Sequence, residues 1–96
     1  MGTMEKKADK KLVSLREKID CLDKKIFELL SERFILSLKT AHFKKNIKDK
    51  KREREIFFSL RKNIKDKSLK PYVTKVYKKI IELSVKYQKK YAYKLR

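Results

Sequence analysis

Apolar residues recur every three or four positions from Leu12 onward. Leu12, Leu15, Ile19, Leu22, Ile26 and Leu29 alternate as the a and d positions of a heptad seam, which predicts one long amphipathic helix. Continuing the count places Arg33 at the next a position, then Leu36 at d, Thr40 at a and Phe43 at d. A guanidinium inside an apolar seam is costly unless an anion pairs with it. Arg16 and Lys44 fall on e positions, beside the seam. Leu30, Phe34, Ile35 and Leu38 widen the apolar face in the second half, so more helix must cover that half. Helix 1 is expected to run from an N-cap at Asp9 to Lys44 or Lys45, behind a disordered polar tail over residues 1–8.

Two shorter helices come after it. Asp49 is placed to cap a second helix over Lys50–Lys62, with Ile56, Phe57 and Leu60 facing inward. Its opening run Lys51-Arg52-Glu53-Arg54-Glu55 has the look of a solvated face. Pro71 fits the first turn of a third helix, which is expected to reach Tyr93. The stripe of helix 3 is Val73, Val76, Tyr77, Ile80, Ser84, Tyr87, Gln88 and Tyr91. Ser84 and Gln88 stand one turn apart on a face that should be core. Either they bond to each other, or they line a polar pocket inside a helical bundle.

Length turns this pattern into an assembly. Ninety-six residues allow one domain, and a single Gly and a single Pro make it all-α. A helix of about 33 residues is ~50 Å long, against a width of roughly 25–30 Å for a compact domain of this size. Two shorter helices cannot cover it. An intertwined antiparallel homodimer of three-helix chains is therefore expected.

The formal charge of +18 points toward nucleic acid or an acidic surface. However, the lysines spread over every segment, and Lys-Asn-Ile-Lys-Asp-Lys occurs at both 45–50 and 62–67. That is the mark of compositional drift toward Lys, Asn and Ile, so no specific nucleic-acid partner is expected. Cys21 and His42 both sit at c positions and form neither a disulfide nor a metal set, so no metal and no cofactor are expected. No stretch is apolar enough to span a membrane, and no leader is visible; a cytoplasmic location is expected.

The anomalous polar residues define a candidate site. Arg33 and Lys44 are eleven residues apart, which on one helix brings them within ~20° of each other at a rise of ~16 Å. Arg16 lies ~42 Å from Lys44 on such a helix. It can meet the 33–44 half only from an antiparallel partner, so Arg16 of the partner subunit would complete each of two sites. With Arg52, Glu53, Ser84 and Gln88 this makes four cations, one carboxylate and two neutral hydrogen-bonding groups. There is no nucleophile with a base. Such a set grips a small polyanion and can catalyse only by positioning and electrostatics.

These residues resemble the all-helical chorismate mutases of the AroQ class over roughly residues 9–92. The pieces are Leu12, Leu15, Arg16, Ile19, Asp20, Leu22, Asp23 and Ile26; then Leu29-Leu30-x-Glu32-Arg33; Lys44; Asp49-x-x-Arg52-Glu53; and Ile80-Ile81-Glu82-x-Ser84-Val85-x-x-Gln88. The connection from Lys44 to Asp49 is a few residues short for that family. The resemblance implies that chorismate rearranges to prephenate by a [3,3] shift. It implies that Arg33, Arg52 and Arg16 of the partner subunit hold two carboxylates. Lys44 and Gln88 would donate to the ether oxygen. Glu53 and the backbone near Asp49 would take the ring hydroxyl, and Ser84 would assist at a carboxylate. Three rivals stand beside it: an isochorismate-pyruvate lyase of the same fold, a basic helical nucleic-acid-binding protein, and a structural coiled coil.

Overall fold

In the computed structural model, residues 2–92 are described, with side chains from Lys6 on. Three helices succeed one another: α1 over Gly2–Ala41, α2 over Lys50–Asn63 and α3 over Lys70–Tyr91. No strand occurs among the described residues, so the all-α expectation holds. The chain divides into two compact units, Met1–Arg33 and Phe34–Arg96.

The first unit is the α1 seam. Leu12, Leu15, Ile19, Leu22, Ile26 and Leu29 are each about half exposed or more in the single chain. α1 begins at Gly2, so Asp9 lies inside it and the tail expected over residues 1–8 is helical from Gly2 on. Lys6, Lys7, Ala8, Lys10 and Lys11 are strong helix formers, and nothing there interrupts them. Met1 lies outside the described residues, as does Tyr93, the expected end of the third helix.

The second unit holds the end of α1 with α2 and α3. α1 stops at Ala41, not at Lys44 or Lys45. The chain tightens there: His42 N–H donates to Lys39 O at 3.3 Å and Phe43 N–H to Thr40 O at 3.0 Å, three-residue steps that turn it off the α-helical path. Asp49 caps α2, its carboxylate accepting from Arg52 N–H at 3.0 Å. α2 ends where Ile64 N–H reaches back to Leu60 O at 2.9 Å.

Pro71 sits in the first turn of α3, where a missing N–H costs nothing. The approach is built by Asp66, whose carboxylate accepts from Ser68 N–H at 2.8 Å and Ser68 Oγ at 2.6 Å. Those two bonds hold the Asp66 carboxyl below the usual aspartate range.

α2 packs against α3. Leu60 and Ile81 are buried, while Ile56, Phe57, Val73, Tyr77 and Ile80 are half-buried. Val76, expected in the inward stripe, is exposed, and Ile81 is buried. A straight 3.6-residue count puts the inward line on Val73, Tyr77, Ile81, Ser84 and Gln88, and this leaves Val76 on the flank. Phe34 near the end of α1 meets Tyr87 edge to face, with ring centres 5.9 Å apart, and Tyr87 lies 4.9 Å from Tyr91.

Candidate functional site

Two polar side chains of α3 occupy core positions. Ser84 and Gln88 are each only 4% exposed, on the same face as Ile81. Gln88 Nε2 donates to Ser84 Oγ at 3.3 Å. Gln88 Oε1 is buried with no hydrogen-bond partner. Buried amide atoms of this kind are normally satisfied, so this one marks a place where a polar contact is left open.

Lys44 lies in the connection between α1 and α2, half-buried, with Nζ donating to Ile47 O at 3.0 Å. Because α1 has ended at Ala41, the helical geometry expected between Arg33 and Lys44 does not apply. A bond across the connection holds Lys44 instead. Lys44, Lys45, Asn46, Lys48, Asp49 and Lys50 line a recess of about 290 Å³. Four ammonium groups around one carboxylate make that recess suited to an anion.

The first turn of α2 supplies the next group. Asp49 is committed to the cap, which fixes the Arg52 backbone. Glu53 N–H donates to Asp49 O at 3.0 Å, and the Glu53 side chain is half-buried. Arg52 is exposed, its Nη1 bonded to Glu55 Oε2 at 3.3 Å. The i, i+3 spacing of opposite charges in the run at 51–55 is the signal for that pair. The Ile47 carbonyl has no such signal, since a backbone acceptor leaves no mark in the sequence.

Two expected site residues belong to the first unit. Arg16 is exposed on α1 and Arg33 is half-buried there. The structure thus brings Ser84 to Gln88, and Lys44 to Asp49 and the start of α2. Among the described residues, no hydrogen bond links the Ser84–Gln88 pair to Lys44, Arg52 or Glu53. Among the described residues no group of His, Cys, Asp and Glu could hold a metal ion. No described helix is long and apolar enough to cross a membrane.

The chain thus buries an amide and a hydroxyl on one face of α3 and carries a cation-rich connection ending in a capped helix. Residues 15–89 match the family described as chorismate mutase type II. The chain belongs to that family. The matched span takes in Arg16, Arg33, Lys44, Arg52, Glu53, Ser84 and Gln88. The all-helical fold agrees with it, and the family makes the chain an isomerase of aromatic amino-acid biosynthesis. No curated protein and no solved structure matches the chain.

Proposed function

We propose that this chorismate mutase domain converts chorismate to prephenate without covalent, acid-base or cofactor chemistry. The ether C–O bond breaks while a C–C bond forms between the enolpyruvyl unit and the ring. Electrons move around one cyclic array and no proton changes place. The observation that carries the reading is the buried Ser84–Gln88 pair on the inward face of α3, in a chain of this family. Burying polar groups is unfavourable unless they are hydrogen-bonded, and the pair's mutual bond leaves Gln88 Oε1 without a partner, which supports a pocket that takes a polar guest.

In this reading Gln88 Nε2 and Lys44 Nζ donate to the ether oxygen as it gains negative charge. Lys44 exchanges its bond to Ile47 O for that contact. Arg33, Arg52 and Arg16 of the partner subunit grip the two carboxylates. The ring hydroxyl is held by Glu53 and the backbone near Asp49, and Ser84 assists at a carboxylate. The exposed Leu12–Leu29 seam supports a second copy as its cover, paired antiparallel, in a cytoplasmic homodimer.

The magnitudes suffice. One preorganised donor is worth ~3–4 kcal/mol, and a 10⁶-fold acceleration requires only ~8 kcal/mol. Lys44→Ala should therefore lower the conversion of chorismate by about two to three orders of magnitude with helical content unchanged. The product should be prephenate, and isochorismate should yield no pyruvate. Release of pyruvate from isochorismate, with chorismate untouched, would replace this reading with the lyase.

A further inference from the structure

The charge of the chain is unevenly shared. Residues 1–33 hold nine Lys and Arg against seven Asp and Glu, a net +2, while residues 34–96 hold 21 against five, a net +16. Drift toward lysine raises cations everywhere. It gives no reason for carboxylates to thin out in one unit alone.

Within the second unit, the stretch from Arg54 to Lys75 sets exposed rings among cations. Phe58 is 62% exposed on the side of α2 opposite buried Leu60. Arg54, Arg61 and Lys62 stand at i−4, i+3 and i+4 from it, all exposed. Lys65 and Lys67, also exposed, lead through the connection to Tyr72. That ring is 69% exposed in the first turn of α3. The two carboxylates of the stretch are engaged, Glu55 by Arg52 Nη1 at 3.3 Å and Asp66 by Ser68. Among the described residues, no ion pair holds Arg54 or Arg61.

We propose that this face binds a single-stranded polynucleotide without regard to its sequence. Unpaired bases stack on Phe58 and Tyr72, and Arg54, Arg61 and the neighbouring lysines meet the phosphates. A duplex keeps its base faces covered, so exposed rings suit an unpaired strand. An anionic membrane is the poorer match. It takes up a continuous apolar helix face, and the apolar face of α2 is packed against α3. None of these residues has a part in the proposed mutase reaction, so binding and conversion are separate properties.

Fluorescence polarisation tests this with a labelled single strand of about 12 adenine nucleotides, beside heparin, a polyanion without bases. Phe58→Ala removes a ring and no charge. It should weaken binding of the oligonucleotide about tenfold and leave heparin binding unchanged. Equal affinity of wild type and Phe58→Ala for the oligonucleotide would mean adhesion by charge alone and overturn the proposal. Should Phe58→Ala lose helical content, Tyr72→Ala carries the same comparison. Arg54→Gln with Arg61→Gln should make the slope of log affinity against log salt shallower by about 1.4, since each phosphate contact on a single strand contributes about 0.7. Lys86→Gln with Lys89→Gln, the same charge removed farther along α3, should leave the slope nearly unchanged. Equal shallowing by both pairs overturns a located site. Binding to vesicles of anionic phospholipid that Phe58→Ala abolishes, with oligonucleotide binding kept, would assign the face to a membrane and overturn the proposal as well.

Discussion

A neutral amide at position 88 separates catalysis from titration. Gln88 has no proton to gain or lose at ordinary pH, so the contact proposed for it with the ether oxygen would be the same on either side of neutrality. Activity should therefore change little between about pH 6 and 8, where a carboxyl in that place would have to be protonated first. A rate falling tenfold per pH unit across that range would contradict the role given to Gln88. Ser84 and Gln88 are legible in the sequence because they break an apolar stripe at a spacing of one turn. Lys44 is legible by type but not by position. Ala41-His42-Phe43-Lys44 contains no Gly and no Pro, and the stop comes from backbone bonds that those side chains do not announce.

Among the elements, α2 depends most on single contacts. It is short, opens on a cluster of like charges, and is held by the Asp49 cap at one end and Leu60 against α3 near the other. Asp49→Ala should cost about 1 kcal/mol of stability, which for a domain of this size lowers Tm by about 4–8 °C. Asp49→Asn, which keeps an accepting oxygen, should lose much less. Equal losses in thermal unfolding would show that the cap is not what holds this end. The ion pairs contribute far less. Arg52–Glu55, Lys79–Glu82 and Lys86–Glu82 are all exposed neighbours on one helix turn. Lys86, then Lys79, holds the Glu82 carboxyl below its ordinary range, so what this pairing adds to stability is present at neutral pH and is lost as acid protonates it. The existence and order of the helices come from the three-and-four spacing of Leu, Ile and Val. Their ends do not: α1 opens at Gly2 because the lysines and alanine before Asp9 are as helix-forming as the lysines and leucines after it.

At the level of the whole molecule, the six seam residues form a row of large hydrophobic side chains left exposed in the single chain. Burial of a Leu or Ile side chain is worth about 1.5–3 kcal/mol, and in the single chain these stay half exposed. In the proposed antiparallel homodimer a second copy would cover them and bring its Arg16 to the proposed site. Arg16→Ala and Lys44→Ala should each be nearly inactive alone. Mixed and refolded, they should regain activity, up to about a quarter of wild type for random pairing, because one site of each mixed dimer escapes both lesions. No recovery in confirmed mixed dimers would remove Arg16 from the shared site. The expectation of a partner comes from helix length against domain width, whereas a sequence rich in lysine at +18 gives no direction to it.

The most direct measurement is the loss of chorismate absorbance with the purified wild-type protein, with the product identified. Conversion above the uncatalysed background, giving prephenate and no pyruvate, is the expected result. A folded protein that leaves chorismate unchanged would contradict the account at its centre.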